Sequence, residues 1–410
     1  MQKIFLILVI VLTNIGCKTK NDRHFVHVRD RMFVTHDGNK LQLKGVNLGF
    51  WLVPEGYWWG ISNIHTPHGY FDLMAELIGP DDARKFWRKY QDNFVTRKDI
   101  FFLKEKGMNV VRIPFDYRLF VDEYYLGSSS RRGFELIDRV LEWCREAGLW
   151  VILDMHCGPG GQGGWNTDDG YIFPWMFDDS SENSRNETID IWKSIAARYS
   201  NDTIIIGYDL LGEPIPQYCD TSIFNRRLEP LFKRITNAIR LVDRNHILIY
   251  TGSHWDRNFS ILGPPFDSNA AYTTHLYECD TSQHSIQQYL NFSERYNVPV
   301  WMGEFGENNF SWIHGFRSLC EKNNVGWTLW TFKKMNPYNT YGLLICDKPA
   351  NWDLITRYAN DTYKTIEDKV KARPDNKLVK KALDELLINI QFQHCYKNND
   401  FIQALGLNVK

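Results

Sequence analysis

The sequence has no excess of charge of either sign: 48 Lys and Arg stand against 49 Asp and Glu, for a formal net charge of −1. Without a global field, neither nucleic acid nor an anionic surface is expected as a partner. Cysteines are few and lie in no CxxC or Cys/His ligand spacing, which excludes a structural zinc. Seven remain beyond Cys17, namely Cys144, Cys157, Cys219, Cys279, Cys320, Cys346 and Cys395, so they do not pair off as a framework. Phosphate-binding glycine motifs are also missing. The run Gly158 to Gly164 lacks the Lys-Ser/Thr ending of a P-loop, and no dinucleotide fingerprint follows the first strand. No Ser/Gly or Pro linker sets off a further module.

Aromatic residues are abundant instead. Fifteen Trp, 20 Tyr and 25 Phe make up 15% of the chain, and flat apolar faces with polar edges suit either a Trp-rich core or the stacking of sugar rings. The N-terminus reads as a targeting segment. Lys3 precedes the apolar run Ile4 to Leu12, which is too short to span a bilayer but right for a signal-peptide core. Gly16-Cys17 and the polar Lys18 to Asp22 come next, and together they resemble a bacterial lipoprotein signal, although Asn14 stands where an aliphatic is usual. Residues 1–22 are therefore expected to be a signal and tether, with Cys17 lipidated and the protein exported to the periplasmic or cell-surface side of a membrane.

Past the tether, Phe33 to Leu43 reads as a hairpin turning at Asp37-Gly38, and it is expected to cap one end of the main domain. Leu43 to Gly49 is the first core strand, and it leads into an aromatic loop from Phe50 to Trp59. An excursion then runs to about Asn93. Beyond it, strands alternate with helices: Asn109–Pro114, Leu149–His156, Thr203–Asp209, His246–Gly252, Ala271–Tyr277, Val298–Glu304 and Gly326–Phe332 are the remaining strands. Eight short apolar strands separated by amphipathic helices predict an α/β fold closed into a (β/α)8 TIM barrel over 23–360. The rest, 361–410, is expected to be a helical extension packed on the barrel.

In such barrels the chemistry sits at the C-terminal ends of the strands. Those ends carry Asn47, Arg112, His156, Glu213, Trp255, His275 with Tyr277, Glu304 and Trp330. Core packing alone does not place polar and aromatic residues at every equivalent position. Glu213 and Glu304, from the fourth and seventh strands, would converge across the mouth as the two carboxyl groups that glycosidic hydrolysis needs. Arg112 can hold one of them ionised and the tyrosine hydroxyl can orient it.

At these positions the chain resembles glycoside hydrolase family five, the cellulase-like retaining β-glycosidases. The marks are Gly45 to Leu52, Val111-Arg112-Ile113-Pro114, Leu153-Asp154-Met155-His156, Gly212-Glu213-Pro214, His275-Leu276-Tyr277, Gly303-Glu304-Phe305-Gly306 and Trp327 to Trp330. The resemblance implies Glu213 as acid/base, Glu304 as nucleophile, and Arg112, His156, His275, Tyr277, Trp330, Trp51, Asn47 and Trp255 as the substrate-binding set. It implies a monomer that needs neither cofactor nor metal and acts on a β-glucan or a related poly- or oligosaccharide. A non-catalytic glycan-binding protein on the same fold is the alternative. One departure is plain: the family places asparagine before the acid/base, where its amide bonds the 2-hydroxyl of the sugar, and this chain has Gly212.

Overall fold

The computed structural model describes residues 24–122, 131–164, 171–219 and 221–409. The stretch expected to be a targeting segment, with Cys17, lies outside the described residues, among which no helix is long and apolar enough to cross a membrane. No disulfide joins the described cysteines.

Eight parallel strands form a closed barrel: β1 (Lys44–Asn47), β2 (Val110–Asp116), β3 (Trp150–Cys157), β4 (Ile205–Asp209), β5 (Ile247–Thr251), β6 (Ala270–His275), β7 (Val300–Gly306) and β8 (Trp327–Trp330). Each pairs with its neighbour in sequence, and β8 returns to β1. The runs Ile204-Ile205-Ile206 and Ile247-Leu248-Ile249 are buried on both faces, as parallel strands between a core and a helical layer require. The expected barrel is present, with the surrounding helices Arg97–Glu105, Arg132–Ala147, Glu182–Tyr199, Thr221–Arg240, Gln283–Tyr296 and Phe310–Lys322. Local chemistry sets their ends. Thr96 and Asp99 close a capping box, and Gly148 and Asn297 end their helices in the left-handed conformation.

The hairpin pairs Met32–Val34 with Lys40–Leu41 across Asp37-Gly38, and a further strand, His27–Arg29, adds to its outer edge. Val26, Phe33 and Leu43 pack against Val110, Ile152, Ile206, Ile247 and Trp301 near the starts of the barrel strands. This apolar plug seals the bottom of the barrel, so the polar groups collect at the other end.

The stretch expected to be an aromatic loop contains a short helix, Gly56–Trp59; the excursion forms helices Pro67–Ile78 and Pro80–Phe94, and helix Asn376–Asn389 packs against these two. A second small sheet, Lys333–Asn336 with Leu344–Asp347 and Tyr396–Lys397, was not expected from the sequence. Its strands are two to four residues long and carry Lys333-Lys334, so they show no apolar alternation. Consecutive side chains of a strand point to opposite faces, and here that sends Lys334 toward the barrel mouth and Lys333 away from it.

Lys333 is fully buried. Its ammonium donates to Phe94 O at 2.6 Å and Ile390 O at 2.7 Å and lies 3.1 Å from Asp99 Oδ1, which ties the excursion and the C-terminal extension to the barrel. Lys333→Met would leave Asp99 buried without its counter-charge, a change that typically costs about 3–5 kcal/mol. A urea titration is expected to show that loss with an unchanged slope.

Candidate active site

The acid at the end of β4 is held in an unusual backbone. Glu213 has φ +49° and Ile215 φ +55°, flanking Pro214 in a turn that lifts the carboxyl over the barrel mouth. The turn is pinned from both sides. Gly212 N–H donates to Met155 O, and Glu213 N–H donates to Asp256 Oδ1 at 3.0 Å. The glycine-rich loop after β3 closes the arrangement, because Gln162 Nε2 donates to His156 O and to Gly212 O.

Glu304 emerges from β7 at a register irregularity between Met302 and Glu304. A bulge of this kind re-aims a side chain, here toward the mouth. A side chain at Gly303 would meet Thr273 Oγ1 at 2.2 Å, so glycine is required for the strand to sit this close to β6. Both Glu304 oxygens are engaged: Arg112 Nη1 donates to Oε1 at 2.7 Å and Tyr277 Oη to Oε2 at 2.5 Å.

Arg112 is buried and surrounded by acceptors. It binds Asp209 through Nε at 2.9 Å and Asn47 Oδ1 through Nη1 at 2.9 Å, and its Nη2 lies 3.0 Å from Asp154 Oδ2. Burial opposes its charge, but Asp154, Asp209 and Glu304 more than offset this and raise its pKa. The two histidines are driven in opposite directions. Burial disfavours protonation of His156, yet the charge and hydrogen bond of Asp154, at 2.9 Å, push its pKa up to about 10, so it is an imidazolium. His275 is held neutral, since burial brings its pKa down to about 3. Its Nδ1 lies 3.0 Å from Glu213 Oε1 and its Nε2 3.0 Å from Asp256 Oδ2.

Burial also raises the pKa of Glu213, with the charges of His156, Arg257 and Arg112 opposing. One oxygen of Glu213 and one of Glu304 lie within 4.8 Å of each other and of a His275 ring nitrogen. The arrangement pairs a carboxyl group biased toward its acid form with a second carboxyl group held in place by a guanidinium and a phenol. The same three residues could offer ligands to a cation. The guanidinium 2.7 Å from Glu304 would repel it.

A cavity of about 200 Å3 opens between these groups, lined by Glu213, Glu304, His156, Tyr277 and Trp330. Trp330 stacks on His156 with ring centroids 5.7 Å apart and planes 17° from parallel. A family model described as cellulase (glycosyl hydrolase family 5) matches residues 76–336, more than half of the chain. The chain belongs to glycosyl hydrolase family 5. Among its relatives in this family, a β-xylosidase of Phanerodontia chrysosporium is 26% identical over 349 residues, 75% of this chain and 71% of its own. Endoglucanase C of Acetivibrio thermocellus is 26% identical over 313 residues, 61% of this chain and 88% of its own. The rutinosidase structure from Aspergillus niger shares the fold at a TM-score of 0.55 and 18% identity, over 73% of this chain and 92% of that one. The chain is thus a glycoside hydrolase.

Within this family 5 site, the residues singled out from the sequence take different places. Glu213, Glu304, His156, Tyr277 and Trp330 line the cavity, while Arg112 and His275 stand behind them, holding the carboxyl groups. Asn47 is fully buried and donates to Gly303 O and Leu329 O, so it braces β7 and β8 rather than facing a ligand. Trp51 is a correction. It is 1% exposed, its indole N–H donates to Gln91 O at 2.8 Å, and it belongs to the core under the excursion helices. Trp255 is not among the residues that line the cavity; it is half-buried, bonded to Gly163 O and edge-on to Tyr218.

Three further lining residues escape a reading of the sequence: Glu55, Tyr57 and Glu307. So does Asp256, which is buried and bridges Glu213 N–H and His275. Glu55 and Tyr57 lie at the start of the one-turn helix Gly56–Trp59, too short for any periodicity to show which side chains turn inward. Asp256 comes after His254 and Trp255 in a left-handed run at φ +57°, +54° and +65°, which has no sequence signature.

Proposed function

We propose that the chain is a retaining β-glycosidase that acts on a β-glucan or a related poly- or oligosaccharide by double displacement. Glu304 attacks the anomeric carbon, and Glu213 first protonates the leaving oxygen and then deprotonates the water that releases the sugar. The observation that carries this reading is the separation of the two carboxyl groups. Retaining enzymes hold them about 5–5.5 Å apart and inverting ones about 6.5–9.5 Å, and an oxygen of Glu213 within 4.8 Å of one of Glu304 falls on the short, retaining side of that division. Arg112 and Tyr277 each donate to one oxygen of Glu304 and so fix its aim, while burial keeps Glu213 ready to donate. The His156 imidazolium and the Trp330 face are suited to hold a sugar's hydroxyl and its ring. The β-xylosidase and endoglucanase relatives act on xylosides and glucans by their names, which agrees with a β-linked glycan substrate.

Proton NMR during early turnover on a panel of β-linked glycans tests the reading. The β-anomer is expected to form first, and the α-anomer would contradict it. The raised pKa of Glu213 sets the alkaline limb. Activity on unactivated glycosides is present while Glu213 is protonated and is lost as pH rises through its pKa, which lies above the usual carboxylate range. In Glu213→Ala, turnover of a dinitrophenyl glycoside is expected to lose this limb, and azide is expected to restore turnover by replacing water. Activity is expected to be unchanged in EDTA.

A further inference from the structure

We propose that Glu55 and Glu307 make the cavity a pocket for one terminal sugar, so that the enzyme removes single residues from the non-reducing end of its substrate. This rests on the glycosidase reading and extends it to where the chain is cut. Four glutamates line the cavity, and double displacement uses only two. Glu55 is 6% exposed, and its Oε1 has no hydrogen-bond partner among the described residues. A buried polar group without a partner is costly, and such a group facing a cavity is a place for a ligand's hydroxyl.

Glu307 is built in differently. It comes just after the nucleophile strand at φ +51°, and its carboxylate is held by the Lys334 ammonium and the Asn339 amide. Lys334 is fully buried with its ammonium 4.7 Å from the Phe50 ring centroid and 5.1 Å from that of Tyr57. Tyr57 in turn accepts from Trp330 Nε1 at 2.7 Å, which joins this wall to the sugar platform. The wall therefore comes from three elements outside the barrel strands: the stretch after β1, the loop after β7 and the small sheet. Burial raises the Glu55 pKa, so it can donate to one hydroxyl and accept from another, while Glu307 accepts.

The size of the space agrees. About 200 Å3 lies below the 300–1,000 Å3 of pockets for drug-sized ligands, enough for one pyranose ring between the catalytic pair and this wall. The leaving group must lie at Glu213, whose N–H is bonded to Asp256; next to Asp256 stands the half-buried Trp255, edge-on to the exposed Tyr218. A chain continuing from the other side of the ring would have to displace Glu55 or break the Glu307–Lys334 pair. The ligand class is a β-glycoside whose terminal sugar has free hydroxyls.

Reducing-end-labelled β-linked glucan pentasaccharides, together with 4-nitrophenyl β-glucoside and β-xyloside, test this on the full chain. The first labelled product is expected to be the tetrasaccharide, with the monosaccharide as the sole unlabelled product. Glu55→Gln, isosteric and with no partner at Oε1 to lose, is expected to keep the melting temperature and lower kcat/KM on the preferred aryl glycoside by about 10-fold or more. Removing one hydroxyl from the terminal sugar, tried position by position, is expected to cost the wild type a similar factor and Glu55→Gln little more at one position. Labelled di- or trisaccharides appearing first, or an unchanged kcat/KM in Glu55→Gln, would overturn the pocket while leaving the glycosidase reading intact. A wild type inactive on every substrate would overturn the glycosidase reading and this inference with it.

Discussion

Glu304→Ala is expected to lower kcat on any glycoside the wild type cleaves by on the order of 10^4-fold or more, because it removes the group that splits one difficult displacement into two. The fold should survive. Arg112 keeps its bonds to Asp154, Asp209 and Asn47, so its charge is not left alone in the barrel. Substrate binding should also persist, since His156, Trp330, Glu55 and Glu307 are untouched. The expected signature is therefore a collapse of kcat at nearly constant affinity, measured by calorimetric titration of the variant with a slow substrate. Equal turnover in variant and wild type would remove Glu304 from the mechanism and favour a chain that only binds glycans.

Gly212→Asn, which would restore the residue usual in the family, is expected to reduce activity. A Cβ at 212 would lie 2.6 Å from His156 Nδ1 and 3.2 Å from Asp154 Oδ1. Neither side can give way cheaply. His156 is clamped between its Asp154 hydrogen bond and the Trp330 ring, and the 212 backbone is tied to Met155 and Gln162. Overpacking of this kind costs about 1–3 kcal/mol, so a fall of about 10- to 100-fold in kcat/KM is expected as the imidazole is displaced. The glycine is thus matched to the position of His156. His156 is an imidazolium lining the cavity and supplies a donor next to where the amide would have been. A gain in kcat/KM would show that the space is free and this matching wrong.

The parts of the molecule legible in the sequence are those governed by periodicity. Runs such as Ile204-Ile205-Ile206 announce a strand buried on both faces, and counting them gives the barrel. A polar residue at the end of such a run can be placed at the mouth without knowing any contact, and Glu213 and Glu304 are legible for that reason. Irregular segments carry no such rule. Trp51 and Tyr57 lie in one aromatic stretch of the sequence, yet Trp51 turns into the core and Tyr57 into the cavity. Glu55 and Glu307 look like ordinary loop glutamates, and only the fold shows that one is buried without a partner and the other is fastened to Lys334. The hairpin's outer strand, His27–Arg29, and the small sheet stay hidden because two- to four-residue strands give no measurable alternation.

Trapping the intermediate tests the central claim most directly. The protein would be incubated with a 2-deoxy-2-fluoro-β-glycosyl fluoride matched to its preferred sugar, and the intact mass and the labelled peptide determined. One fluorosugar per chain on the peptide containing Glu304, absent in Glu304→Ala, is the predicted result. An active wild type that stays unlabelled, or carries the sugar on another residue, would contradict the account.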